Sequence, residues 1–130
     1  MKRKGSRTER ELVNLFNETQ IWSAIRIAGS GLTKNPNPDV LAGNSKRYLA
    51  IECKSLKQNI KYLTDEDVKQ ITDFSRVFGA EPWFGIRFNQ QGWYFLKPEY
   101  LEKGKGKHYA VSLPLAKEKG LNFKELLELT

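Results

Sequence analysis

Cysteine and histidine are almost absent: the chain has one of each, Cys53 and His108. A single thiol forms no internal disulfide, so a reducing, cytoplasmic setting is expected. One cysteine and one histidine also exclude a structural zinc cluster. No apolar run approaches the ~20 residues that span a bilayer, so a membrane is not an expected partner. The N-terminal MKRKGSRTERELVNLF is basic but lacks the unbroken apolar stretch of a signal peptide. There is no internal repeat, no Ser/Gly-rich linker and no low-complexity tract, so residues 1–130 read as one domain. Residues 1–5 read as a flexible basic arm.

Acidic residues are in deficit, 15 against 22 Lys and Arg, leaving a net charge of +7 and a pI of about 9.5. A basic surplus on a small folded domain suggests an anionic partner, with nucleic acid first among them. Solubility alone also explains such a surplus. Hydrophobic residues make up 39%, with three Trp, five Tyr and seven Phe, which is the composition of a globular domain.

Local signals give an order of helix, three strands, helix, two strands, helix. Ser6 followed by Glu9 reads as a capping box opening a helix of about a dozen residues, with Leu12, Val13 and Phe16 apolar. Ile21–Ala28 alternates and reads as a strand, broken by Gly29-Ser30-Gly31. The two prolines and two asparagines of residues 33–38 mark a loop. Asp39–Ala42 and Arg47–Lys54 read as a hairpin around Gly43-Asn44. Thr64 and Asp65 cap a helix reaching about Phe78, with Gly79 closing it. Trp83–Phe88 and Trp93–Leu96 are strands, Lys103–His108 a basic loop, and Asn122 with Glu125 opens a last helix. The fold class is α/β, a central mixed sheet flanked by helices.

The chemistry concentrates in the hairpin. Pro38-Asp39 is followed, after twelve residues, by Glu52-Cys53-Lys54. Side chains alternate along a strand, so Glu52 and Lys54 share one face and Cys53 points to the other. A hairpin return sets Asp39 beside Glu52. Two adjacent carboxylates raise one another's pKa. A bound Mg²⁺ or Mn²⁺ relieves that cost, because hard divalent ions prefer oxygen ligands, and the Cys53 backbone carbonyl could add one more. Lys54 could orient a water or neutralise developing charge. That is equipment for phosphodiester hydrolysis. A surface salt bridge is the bland account of Glu52 and Lys54, and capping Ser6 is the bland account of Glu9.

These residues stand in a longer ordered set. It comprises Lys2-Arg3-Lys4-Gly5-Ser6 leading to Glu9-Arg10, then Arg26, Gly29-Ser30-Gly31, Pro36-Asn37-Pro38-Asp39-Val40-Leu41-Ala42, Ile51-Glu52-Cys53-Lys54-Ser55, and the helix around Gln70 and Phe74. The set resembles the archaeal Holliday junction resolvases, often called Hjc, of the PD-(D/E)XK nuclease superfamily. The last 30 residues match less distinctively. The resemblance implies a single restriction-endonuclease-like domain that resolves four-way DNA junctions as a homodimer. Glu9, Asp39 and Glu52 would bind Mg²⁺, with Mn²⁺ as substitute, and Lys54 would be the catalytic lysine. Ser30 would lie near the site and Gln70 would support it, unless Gln70 is simply a solvated helix residue. Arg10, Arg26 and Lys34 would contact DNA phosphate, and Lys2, Arg3, Lys4 and Arg7 would form a junction-gripping arm. Such a protein belongs at the nucleoid, with a sliding clamp or a branch-migration helicase as conceivable accessory partners. Cys53 departs from the larger apolar residue commoner at that position.

A two-fold dimer presents two equivalent sites to two symmetric strands. Phe74, Phe78, Trp83, Phe84, Trp93 and Phe95 exceed what one small core readily buries, so some are candidates for the dimer surface and the rest for the core. Three alternatives stay open: another nuclease of the superfamily acting on flaps or specific sequences, a junction-binding module that does not cut, and a basic protein-interaction domain.

Overall fold

The computed structural model describes residues 2–27, 37–58, 60–106 and 108–129, with the backbone alone for residues 2–6. Helix α1 (Lys2–Glu18) buries Leu12 and Phe16 completely, one turn apart on the same face. It begins four residues before the expected start at Ser6. Ser6 therefore lies within the helix, and residues 2–5, read above as an arm, continue it. Lys and Arg are good helix formers, and Gly5 alone costs about 1 kcal/mol, so nothing in the stretch forbids the extension.

Three strands follow as an antiparallel meander: β1 (Ser23–Arg26), β2 (Val40–Gly43) and β3 (Tyr48–Leu56). The expected turn at Gly43-Asn44 is present. The Asn44 side chain accepts from the Lys46 and Arg47 backbone N–H groups at 2.9 and 2.6 Å. Ser45 takes the left-handed φ of 78° that closes the turn. Beyond β3 come β4 (Ile60–Thr64) and helix α2 (Asp65–Phe78). Thr64 caps α2 in a reciprocal box with Asp67, and Gly79 ends it at φ 91°, as its residue types predict.

Strand β5 (Glu81–Phe88) pairs parallel to β3, and β6 (Gly92–Leu96) pairs antiparallel to β5. The central sheet has the order β1-β2-β3-β5-β6. After a short 3₁₀ turn at Pro98–Tyr100 come β7 (Glu102–Lys103), β8 (His108–Ser112), α3 (Leu113–Lys119) and α4 (Phe123–Glu128). A second sheet, β4-β8-β7, was not anticipated, nor was α3. The Asn122–Glu125 capping box opens α4 as expected.

The central sheet separates two cores. On one face α1 and α4 pack Leu12, Phe16 and Leu126 onto Val40, Leu49, Ile51, Trp83 and Phe95. On the other, α2, α3 and the second sheet pack Ile71, Leu115, Leu63 and Val111 onto Ala50, Phe84, Ile86 and Leu96. Trp83, Phe84, Trp93 and Phe95 are therefore core residues. Phe74 is half-buried, and Phe78 is exposed. Arg47 ties the hairpin turn to the sheet and to α4. It donates two bonds to Glu81 at 2.9 Å and one to the Leu126 carbonyl at 2.7 Å. The fork-on-carboxylate geometry fixes the end of β3 against β5.

Gly85, at the centre of β5, has no room for a side chain. An added Cβ meets Phe95, Ile51 and Trp93 at 3.1, 3.2 and 3.2 Å. The Trp93 and Phe95 rings there are stacked, with centroids 5.7 Å apart. Gly85→Val should lower unfolding free energy by about 1–3 kcal/mol in urea titration, the usual cost of overpacking.

Candidate active site

The two hairpin carboxylates meet as the alternation predicts. Val40 pairs with Ile51, so Asp39 stands one position beyond, level with Glu52. Asp39 is held by its own strand boundary. Its N–H donates to the Ile51 carbonyl at 3.1 Å, and its carbonyl accepts from Ile27 N–H at 2.9 Å. Its Oδ2 accepts the Cys53 N–H at 2.8 Å. A buried carboxylate (8% exposed) is thereby fixed across the end of β2 and β3.

Strand pleating sends Leu49, Ile51 and Cys53 into the α1 core and places Ala50 and Leu56 in the α2 core. Glu52 and Lys54 share the parity of the second set. Lys54 Nζ lies 3.7 Å from Glu52 Oε2, longer than a good hydrogen bond. Burial, and then the Asp39 charge, push the Glu52 carboxyl up to about 8, with Lys54 opposing. Asp67, on the first turn of α2, adds to the rise. Sequence reasoning missed Asp67, whose only visible signal was its capping spacing from Thr64.

Glu9 comes to the site from α1. Its Oε1 accepts from Arg26 Nε at 2.9 Å, so its sequence role as partner of Ser6 gives way to an ion pair with β1. Burial and Asp39 still raise its pKa, against the lowering effect of Arg26. Asp39 is thus the charge that Glu9 and Glu52 both feel. Burial, and then the charges of Asp39, Glu9 and Glu52, push the Cys53 thiol well above its usual value. Among the described residues no three ligating side chains are drawn into a ready metal cluster. The carboxylates are neighbours that a cation would have to gather.

The other sequence candidates fall in different places. Arg7 and Arg10 are exposed on α1. Arg26 is half-buried and engaged with Glu9. Gln70 sits on α2, where its Nε2 donates to Glu66 Oε2 at 3.2 Å and bonds neither Asp39 nor Glu52. Lys2, Arg3 and Lys4 lie in the backbone-only part of α1, and Ser30 and Lys34 lie outside the described residues. No helix among the described residues is long and apolar enough to cross a membrane.

Compared with known proteins, the whole chain, residues 1–130, matches the family described as archaeal Holliday junction resolvase (Hjc). The chain belongs to that family. It is 36% identical over 135 residues to the crossover junction endodeoxyribonuclease Hjc of Archaeoglobus fulgidus, with 96% of each chain covered. It is 36% identical over 109 residues to the Methanocaldococcus jannaschii Hjc, covering 84% of this chain and 76% of that one. The solved structure of A. fulgidus Hjc, a Holliday junction resolvase, superposes with a TM-score of 0.84 at 34% identity, over 95% and 94% of the two chains. The restriction-endonuclease-like α/β fold expected from the sequence is the one observed. Hjc-family nucleases imply a divalent metal cofactor in general.

Glu52 sets a pH dependence. An acid whose folded pKa exceeds its unfolded value binds its proton more tightly when folded. For Glu52 that stability is full below its ordinary 4.5 and is lost as pH rises towards about 8. Without metal, the wild type should lose thermal stability across this window. Glu52→Gln should flatten the loss and melt roughly 5–10 °C higher than wild type at pH 8 in calorimetry. An added divalent metal ion should raise the wild-type midpoint and leave that of Glu52→Gln nearly unmoved.

Proposed function

We propose that this protein is a Mg²⁺-dependent endonuclease that resolves four-way DNA junctions by paired symmetric nicks from a two-fold dimer. The observation that carries the reading is the hairpin that fixes Asp39 beside Glu52 and Lys54 in a chain matching the resolvase family end to end. The donor set fits a hard divalent cation. Glu52 is a carboxylate held part-protonated near neutral pH by burial and by Asp39, and a cation at that spot would restore its charge. Asp39 and Glu52 would hold the ion, joined by the Cys53 carbonyl and by Glu9 once Arg26 lets go of it. Mn²⁺ should substitute for Mg²⁺. When bound, the ion supplies positive charge at the scissile phosphate.

The chain's own groups do the rest. Lys54, on the same strand face as Glu52, neutralises charge developing on the phosphate and orients the attacking water. Asp39 keeps the Glu52 strand in position through the Cys53 N–H. Arg10 and Arg7 on the exposed side of α1 hold the DNA backbone, with Lys2, Arg3, Lys4 and Lys34 extending that grip and Ser30 nearby. Arg26 holds Glu9 and is the group that a phosphate would draw away from it. The protein works on DNA in the cytoplasm, at the nucleoid, and a clamp or branch-migration helicase would be recruited there.

An exposed apolar surface supports the dimer. Ile25, Tyr48, Val77 and Phe78 are 59%, 49%, 77% and 56% exposed. Phe78 lines two clefts, one along α2 with Phe74 and Val77 and the other over β1–β3 with Ile25, Leu41 and Tyr48. Apolar residues gathered at one place on a small basic protein suit a self-complementary contact.

Cleavage of a mobile four-way junction, a linear duplex and a flap, with and without Mg²⁺, tests the activity. Paired nicks restricted to the junction are expected, and nicking of the duplex or flap at equal rate overturns the assignment. Asp39→Asn and Glu52→Gln should each slow single-turnover cleavage by about 10²–10³-fold while junction binding persists. Phe78→Asp should shift the protein to monomer in sedimentation and convert paired nicks to single ones.

A further inference from the structure

Beyond Lys54, β3 leads into a basic stretch that the catalytic set does not use. Lys57 and Gln58 are exposed immediately after the strand. Lys57 lies three residues past Lys54, about 10 Å along an extended chain. A DNA strand carries a phosphate for about every 3.4 Å of helix axis, so this is about three nucleotides away.

Two clefts meet at this point, and Lys57, Ser55 and Leu56 line both. The first, of about 240 Å³, is bounded by α1 and the end of β5 and adds Arg7, Glu11, Arg87 and Asn89. The second, of about 510 Å³, is bounded by β4 and adds Gln58, Lys61 and Tyr62. Among the described residues the second has no carboxylate on its lining. In the first, Glu11 and Arg87 offset one another's charge: Glu11 Oε1 accepts from Arg87 Nε and from Trp93 Nε1, each at 2.6 Å.

The rim is built rather than loose. Ser55 pairs with Arg87 and Leu56 with Phe88 in the parallel ladder, and Asn89 N–H donates to the Leu56 carbonyl at 3.1 Å. Arg87 is held at two points, by Glu11 and by the Phe88 carbonyl at 3.2 Å. An arginine oriented in this way contacts phosphate with little further loss of freedom. On β4, the outer strand of the second sheet, Tyr62 is 65% exposed beside Lys61. Lys57 and Lys61 on one cleft lining present positive charge suited to the phosphates of a DNA strand.

We propose that the two clefts sharing Lys57, rimmed by Arg87 and Asn89 on one side and Lys61 and Tyr62 on the other, form a second DNA-backbone grip. It holds the strand leading away from the scissile phosphate, on the far side of Lys54 from Asp39. It rests on the DNA-cleaving reading above and adds residues to it. The ligand is a phosphodiester backbone, read without base contacts.

The test is the salt dependence of DNA affinity, measured by fluorescence anisotropy in EDTA so that no strand is cut. Wild type, Lys57→Ala/Lys61→Ala and a control pair, Lys117→Ala/Lys119→Ala on α3, are titrated against a four-way junction and a linear duplex. Each lost phosphate contact removes about 0.9 from the slope of log K against log salt. The Lys57/Lys61 pair should lose about 2, and the control pair, with the same charge removed, should keep the wild-type slope. A Lys57/Lys61 slope within about 0.5 of wild type overturns the proposal, and so does an equal loss in the control pair. Thermal melts accompany the titrations, and Lys57→Gln/Lys61→Gln replaces the alanine pair if the latter melts early. Failure of wild type to prefer the junction over the duplex would sink the resolvase reading instead, while the slope comparison on duplex still decides this one.

Discussion

Strand β3 is the constraint on which the rest depends. It is bonded on one side to β2 and on the other to β5, and both of its faces are covered by helices. A strand in that position has no freedom of register, because a slip of one residue would turn Leu49 and Ile51 out of one core and drive charges into it. The same pleat that buries Leu49 and Ile51 therefore dictates where Glu52 and Lys54 project. Hydrophobic packing alone sets the direction in which these two side chains leave the strand.

The site stores an electrostatic cost at the edge of that packing. Glu52 is forced towards the protonated form by burial and by Asp39, and Lys54 at 3.7 Å compensates only in part. Asp39 is anchored by a backbone N–H and cannot swing away. Glu9 meets its own cost by pairing with Arg26. Charges gathered against their preference, on strands too well packed to relax, are the usual mark of a functional site.

The sequence made this hairpin legible because its signals are local. Alternation fixes faces, Gly43-Asn44 fixes the turn, and together they place Asp39 level with Glu52. Thr64 and Gly79 bound α2 for the same reason. The second sheet was harder to see: β7 is only two residues, and β4 and β8, five residues each, adjoin a helix cap and a Gly- and Lys-rich run that reads as loop. Such strands form because β4 and β8 bury Leu63 and Val111 against a core contributed by other elements, which no local pattern announces. Helix α3 was masked by Pro114, a residue that marks turns but is also accommodated in a first helical turn. The pairing of Glu9 with Arg26 joins α1 to β1 across 17 residues of sequence, and a capping-box spacing pointed the other way.

Asp67 shows how closely fold and chemistry are joined here. As the third residue of α2 it accepts the Thr64 N–H and starts the helix that covers one face of the central sheet. From the same place it raises the pKa of Glu52. Removing its charge would ease the site and weaken the cap that positions the helix. Acidic residues in a first helical turn are favoured by the helix dipole, so α2 retains a carboxylate there for its own stability. The start of α2 is held near the site by β4, whose partner β8 belongs to the second sheet. That unanticipated sheet thus has a part in the electrostatics around Glu52: it seats the helix whose first turn presses on that carboxyl.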